Sequence, residues 1–509
     1  MSNQGRHVLA IDLGSGGPKV AFVALDGTVR WSVVHAVGTD RPGPGRAVQD
    51  AQQWWQLIRD STRTAMRERV VDPFSVIAVG ITGQWGSVVP VGADGNPVAP
   101  CRTWMDTSAA SHSARLIGGP VLGYHPTRVL TWIRKTAGTP SPAGGDPLSH
   151  VLGFQEDEPD VAAAARWFLE PVDYLAMRFT GRAVSSPASL SGWWLMDTRQ
   201  LERPRYDPHL LKLARVQGHR LPPLVPSGSV IGSVSAATAA DLGLPANVAV
   251  IAGVPDLHAA WVGSGAIDDF AAHLTISTTS WISAAVPFKK TDALHSIATI
   301  PGLDPGRFLV ANNHEAAGAS LGWLQSKVFG GSFEELTTLA ASSPPGANGV
   351  SFTPWLAGMR SPVDDRHARA GWHNLTLSTD RADLVRALLE GVAEQSGWLF
   401  DHVDRFAGQR LDNPRILGGG ALSDLWCQLH ADAAGRSIHR VADPMTAQLR
   451  GVALIAGLAL GVLDRDHIAD LVPIDRVFTP DARSSLGARA RVATLPQRYA
   501  AEKRLFPRA

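Results

Sequence analysis

The chain has 509 residues, 45% of them hydrophobic and 18% charged, with a formal net charge of +1. That length exceeds a single core and predicts two domains of roughly 200–250 residues, while the composition excludes a disordered or fibrous protein. A near-zero charge with no long Lys/Arg run argues against nucleic acid, a polybasic membrane surface and acidic macromolecular partners. Two distant cysteines, Cys101 and Cys427, form neither a disulfide framework nor a zinc pattern. They suit a reducing cytoplasm, the expected location. The opening MSNQGRHVLAIDLG reaches Asp12 before a signal-peptide core can form. The longest apolar run, GVALIAGLALGVL at 451–463, falls short of the ~20 residues of a membrane span and predicts a tightly packed buried helix.

In chain order, apolar strands over 8–11 and 20–25 flank the small-residue loop Gly14-Ser15-Gly16-Gly17, and Asp26-Gly27 marks a hairpin turn. Residues 49–67 follow as a helix with Trp54, Trp55 and Ile58 on its apolar side. A strand over 76–82 leads into Gly83-Gln84-Trp85-Gly86, and another over 87–91 runs into the turn ADGNP. Strands alternating with helices predict an α/β architecture. TAGTPSPAGGDP, 136–147, predicts an exposed loop. A strand over 248–251 is followed by Gly253-Val254-Pro255-Asp256, and the domain boundary is expected near Asn247, giving domains 1–246 and 247–509. HLTISTTSWISAAV, 273–286, echoes the opening strand, small-residue turn and strand, so two related domains facing each other are expected. Helices are predicted over 381–405, with Asp380 as N-cap and Leu384, Leu388 and Val392 at helical spacing, and over 421–434.

The opening loop sets a carboxylate, a bare tip and a lysine between two strands. Glycine permits positive φ and close approach, so backbone N–H groups of Gly14, Ser15 and Gly16 can cradle an anion. Asp12 can anchor Mg²⁺, which prefers oxygen and keeps several waters, and Lys19 can add charge beside a phosphate. The same stretch also reads as a glycine-rich hairpin with a solvated Asp and Lys, and Pro18 removes one donor. Thr278-Thr279-Ser280 is either a second cradle or a β-branched strand end. In RILGGGALSDLWCQLHAD, 415–432, the glycines let a flat ligand approach a helix N-terminus, without the G-x-G-x-x-G spacing of a dinucleotide site. Asp256 can accept a proton from an attacking hydroxyl, because phosphoryl transfer needs a positioned base more than covalent help; a cap or an ion pair is its other reading. Asp106 can bind a polyol hydroxyl beside an aromatic platform, and Trp85, Trp104, Trp193 and Trp194, among 16 tryptophans, either stack on a sugar or fill a core. The 17 histidines show no paired metal spacing.

In this order the motifs resemble those of the FGGY carbohydrate kinases, most closely the xylulokinase-like branch. DLGSGGPK resembles the family's first phosphate motif, GITGQWGSVVPVGADGNPV its sugar-side segment and CRTWMDTSA its W-x-D stretch. YHPTRVLTWIRK, 124–135, resembles the first signature, and GVPDLHAAWVGSGAI, 253–267, the block with the catalytic aspartate. The stretch 352–395 is similar to the second signature in its spacing from Gly371 through Asp383-Leu384 to Glu390-Gly391, and GGGALSDLWCQLHADAAG resembles the adenosine motif.

The resemblance implies a two-domain α/β fold of the actin-like and hexokinase-like ATPases, with ribonuclease H-like domains and an active site in the interdomain cleft. By it, Asp256 is the general base and Asp12 helps to hold Mg²⁺. Gly14, Ser15, Gly16 and Lys19, with Thr278, Thr279 and Ser280, line the phosphates of ATP. Gly419, Gly420, Ala421 and Ser423 lie at the nucleoside, and Gln84, Trp85, Trp104, Asp106 and Asp256 lie toward the sugar. The implied reaction is transfer of the γ-phosphoryl group to a small ketose or polyol, xylulose-like, by a chain for which a homodimer is an open assembly.

Departures from the family pattern gather on the sugar side. Trp85-Gly86-Ser87 stands in place of Met-His-Gly, Ser108 in place of the arginine of W-N-D-x-R, Val129 at the signature lysine and Thr446 at a late glutamate. They motivate a second expectation, a non-catalytic sugar or nucleotide sensor on the same fold. A third, a hydrolase on Gly318-Ala319-Ser320-Leu321-Gly322, requires a serine on a sharp turn directly after a strand, whereas this run reads as helical.

Overall fold

Leu9, Ile11 and Leu13 alternate with Val8 and Ala10 along the first strand, and both sets are buried in separate apolar clusters. A strand apolar on both faces belongs inside a sheet covered on two sides, and that is where the computed structural model, which describes residues 5–121 and 124–506, places it. Seven strands build the first sheet: β1 (His7–Gly14), β2 (Gly17–Ala24), β3 (Val29–Val34), β4 (Val76–Gly83), β5 (Val230–Ser233), β6 (Ala249–Ile251) and the short β7 (Val254–Pro255). Their order is β5-β6-β4-β1-β2-β3, with β7 also pairing β4. β1 and β2 form an antiparallel hairpin, whereas β1, β6 and β7 run parallel to β4. The outer face is covered by α1 (Ala51–Arg67) and α2 (Pro171–Thr180), through Trp54, Trp55, Ile58, Tyr174 and Leu175.

The chain then leaves this sheet through α3 (Asp256–Gly263) and builds a second one of eight strands. These are β8 (Ala272–Ile276), β9 (Ser280–Val286), β10 (Thr291–Asp292), β11 (Ile297–Pro301), β12 (Phe308–Ala311), β13 (Arg415–Leu417), β14 (Ile438–Val441) and β15 (Ile474–Phe478), in the order β10-β11-β12-β9-β8-β13-β14-β15. The plan of the first sheet returns: β8 and β9 are an antiparallel hairpin, and β8, β13 and β14 are parallel neighbours. The echo between the two sequence stretches is therefore a repeat of topology. Helix α4 (Gly318–Trp323) follows β12, α5 (Arg381–Ala407) starts at the Asp380 cap, whose side chain accepts from the Asp383 amide, and α6 (Asp424–Ala434) follows β13. The apolar run 451–463 lies largely in α7 (Ala447–Ala459), buried over most of its length. Among the described residues no helix is long and apolar enough to cross a membrane.

Two expectations meet the structure differently. The stretch 136–147 is not an exposed loop: Thr136, Ala137, Pro140, Gly144 and Asp146 are buried. Asp146 explains this, because its carboxylate accepts from the Ser141 amide at 2.8 Å and caps the next helix through the Ser149 amide at 3.1 Å. The expected boundary near Asn247 falls inside the first sheet, between β5 and β6, and the second sheet begins only at Ala272.

The two sheets are joined by α3 and α7. Helix α7 packs on β1 and β4, whereas α3 touches β8 and β9, and the two helices pack on each other. Their contact is backbone to backbone: a Cβ on Gly263 would lie 1.8 Å from the Ala447 carbonyl oxygen, and one on Gly451 1.9 Å from that of Ala259. Gly451→Val forces this crossing apart, and overpacking of this kind costs about 1–3 kcal/mol or more. The expected result is a matching loss in urea-denaturation stability; an unchanged midpoint would refute the close contact.

Candidate active site

The site forms where strands of the first sheet end. Asp12 is the antepenultimate residue of β1 and pairs across the hairpin with Lys19 and across the parallel ladder with Thr82. Thr82 in turn faces Val254, so β7 delivers Asp256, the first residue of α3, to the same edge as Asp12, with β4 between them. The buried Asp12 carboxylate takes a charge-assisted bond from Lys19 Nζ at 2.9 Å. Lys19 is thus committed to Asp12 instead of standing free beside a phosphate, and that carboxylate raises its pKa. Asp256 is partly exposed, and its Oδ1 accepts from the Leu257 amide at 2.8 Å. Loss of solvation at this edge, with the like charge of Asp12, raises Asp256 from 3.8 to about 7, against smaller opposing contributions from the Leu257 amide and Lys19. Of the three causes that shift an acid, desolvation leads here and the charged neighbour comes second.

Both hairpin tips offer donors. Among the described residues no acceptor takes the amides of Ser15 and Gly16 on the first, or of Thr278 and Thr279 on the second. The carbonyls of the second tip are turned away from it. Ser277 oxygen accepts from the Gly318 amide, and Thr278 oxygen from the amides of Ala317 and Ala319, at the start of α4. A Cβ on Gly318 would lie 2.3 Å from the Ser277 oxygen, so this docking requires glycine. Ser280 is buried with its hydroxyl unpartnered, and its backbone bridges to His314. Adjacent free amides on a turn form an anion-binding concavity. The acid pair beside them is an all-oxygen donor set, which suits a hard ion that takes one or two carboxylates and completes its shell with water and phosphate oxygens.

The adenosine-like segment follows β13. Gly418, at φ +91°, and Gly420 lie against Ile276 of β8, where a Cβ on Gly420 would meet Ile276 Cγ2 at 2.3 Å. Of the four residues singled out there, only Gly419 is exposed. Ala421 is buried, and the Ser423 hydroxyl caps α6 by accepting from the Trp426 amide at 3.2 Å. The exposed apolar surface beside Gly419 belongs to Leu422 and Met445, which sequence reading passed over because each looks like an ordinary core residue.

Among the residues that the resemblance directs toward the sugar, Gln84 is buried and donates to Gln49 Oε1 at 3.1 Å, leaving its own oxygen unpartnered among the described residues. Trp85 packs on Gly192 and donates to the Ser189 carbonyl at 3.0 Å, and Trp104 donates from Nε1 to Ser15 Oγ at 2.9 Å. Asp106 corrects an expectation: it is fully buried, with one oxygen taken by the Ala47 amide at 2.8 Å and the other by the Ser108 amide and hydroxyl. Its carboxylate fixes a loop and offers no open surface to a polyol. The hydrolase reading ends at Ser320, which is buried within α4 and donates to the Ala316 carbonyl.

Duplicated sheets of this plan, joined by two crossed helices, define the actin-like class of two-domain ATPase folds. Gluconate kinase from Lactobacillus acidophilus has this fold, with a TM-score of 0.85 at 20% identity over 98% of both chains. The chain belongs to the FGGY family of carbohydrate kinases: residues 7–263 match the family's N-terminal domain and residues 277–460 its C-terminal domain. It is 29% identical over 482 residues to the xylulose kinase of Staphylococcus epidermidis, covering 93% of this chain and 92% of that one. It is also 28% identical over 495 residues to the glycerol kinase of Citrifermentans bemidjiense, covering 93% and 94%.

Because the folded protein holds the Asp256 proton more tightly than the unfolded chain, the contribution of Asp256 to stability falls as pH rises from about 4 to about 7 and levels off above. Asp256→Asn removes that dependence. Its melting temperature should gain on the native protein across this interval, keep the gain at higher pH and lose it near pH 4. Thermal melts across the range check this, and a pH-independent difference would refute the raised pKa.

Proposed function

We propose that this family member transfers the γ-phosphoryl group of ATP to a hydroxyl of a small ketose or polyol, xylulose-like, with Asp256 as the general base. The observation that carries the reading is the Asp256 carboxyl itself, held beside Asp12 where the first sheet hands over to α3, with a proton affinity near neutrality. A base tuned close to the working pH combines the right protonation state with a real driving force for proton uptake. The names of the relatives, a xylulose kinase and a glycerol kinase, support a small polyhydroxylated acceptor.

In this mechanism Asp256 orients the acceptor hydroxyl and takes its proton as the oxygen attacks phosphorus. The new O–P bond forms as the bond to the β-phosphate oxygen breaks, and ADP leaves. The free amides of Ser15, Gly16, Thr278 and Thr279 are the donors for phosphate oxygens. Lys19 holds the Asp12 side chain in place. Mg²⁺, held by Asp12 directly or through water, would neutralise charge on the transferring group. Gly419, Leu422 and Met445 offer a surface for the nucleoside. Positioning and charge compensation supply most of the catalysis in such a transfer.

Asp256→Asn should leave acceptor and nucleotide binding within about threefold and lower kcat by ~10²–10⁴. An ADP-release assay across pentuloses, hexuloses, tetritols and pentitols measures this and identifies the acceptor; near-native turnover would remove Asp256 from the role of base. The changed acceptor loop keeps the sensor reading in view, and acceptor binding by the native protein without ADP release would establish it.

A further inference from the structure

Glu170 is fully buried directly before α2 and does not cap that helix. Its carboxylate turns the other way: Oε1 accepts from Trp193 Nε1 at 2.7 Å and Oε2 from the Ser87 amide at 3.3 Å. A buried carboxyl must be matched by donors that water would otherwise supply, and here those donors are the loop that carries Gln84 and Trp85. The hydrogen bonds continue from that loop. Ser87 Oγ accepts from the Trp104 amide at 3.0 Å, and Trp104 Nε1 donates to Ser15 Oγ at 2.9 Å. A second route returns, with Gln49 Nε2 donating to the Ser15 carbonyl at 2.7 Å and Gln84 Nε2 to Gln49 Oε1 at 3.1 Å. Loop 84–87 and the hairpin tip at Ser15 thus belong to one closed ring of side-chain and backbone bonds.

We propose that Glu170 is a positioning residue that couples the acceptor loop to the phosphate hairpin through Ser87, Trp104 and Ser15. The ring is a property of the fold; its meaning as a link between two substrate sites rests on the kinase reading above. Glu170 touches neither substrate in this scheme. It holds Gly86 and Ser87 so that Trp85 faces the acceptor while Trp104 keeps the Ser15 amide presented to the phosphate. An acceptor that orders loop 84–87 therefore also orders the tip that grips the nucleotide.

Hydrogen exchange on the ligand-free protein, read by mass spectrometry, tests the coupling without any acceptor. Glu170→Gln keeps the shape but replaces an accepting oxygen with a donor NH₂, and Ser87→Ala cuts the link to Trp104. Glu170→Gln should speed exchange about tenfold at Ser87, whose amide donates to Glu170, and, less strongly, at Val37, whose amide donates to the Gly16 carbonyl of the hairpin tip at 2.8 Å. Ser87→Ala should speed exchange at Val37, and adding Glu170→Gln should not extend that effect additively. In turnover, Glu170→Gln should raise the acceptor KM about tenfold while the ATP KM changes less than threefold. Unchanged exchange at Val37 in either folded variant overturns the proposal, as does an acceptor KM equal to that of the native enzyme. If the native protein turns over no acceptor, the kinase reading falls, and the exchange experiment still decides whether the two loops are coupled.

Discussion

The crossing of α3 and α7 governs the rest of the molecule. Two helices can approach until backbone meets backbone only where side chains are absent, and Gly263 and Gly451 remove them at reciprocal positions. Gly80 on β4 continues the same logic, since a Cβ there would lie 2.9 Å from the Val452 carbonyl oxygen. The contact sets how far apart two buried sheets stand. Since α3 begins at Asp256, it also sets where that carboxyl sits relative to both hairpins. A larger residue at the crossing would be felt at the site although it touches no substrate, because close-packed interiors transmit displacement.

Chemistry gathers at the C-terminal edge of the first sheet for a related reason. Parallel strands bring their ends into register, so β1, β4 and β7 align residues from positions 12, 82 and 254 of the chain. Two carboxylates delivered to one edge raise each other's cost of ionisation. Lys19, opposite Asp12 in the hairpin register, compensates one of them, and Asp256 is left as the group whose proton is retained near neutrality. One pairing register therefore places an ion-paired carboxylate beside one that holds its proton.

Several motif residues act by holding others. Asp106, Ser423, Gly418 and Gly420 have the residue types of a binding motif, yet their groups are consumed by a loop amide, a helix cap and the packing of Ile276. This is consistent with a site in which few atoms touch ligand and many fix those few. The loop that carries Trp85 follows the same economy with different residues, as Glu170 accepts from both Ser87 and Trp193 while Trp85 packs on Gly192.

The sequence alone determined what is local. Period-two apolar runs, small-residue turns and caps such as Asp380 specify strands, hairpins and helix starts within a few residues, and the ordered motifs are specific enough to identify the family. The free amides at both tips were legible because glycine and hydroxyl residues in a turn leave donors unused. Tertiary structure decided everything that depends on meetings across long stretches of chain: that Lys19 pairs with Asp12, that Asp106 is sealed, that residues 136–147 are packed around Asp146, and that Glu170 reaches Ser87. Hydrogen-bond capacity is written in each residue, but its partner is chosen by the fold, because a buried polar atom must be satisfied by whatever the packing brings near.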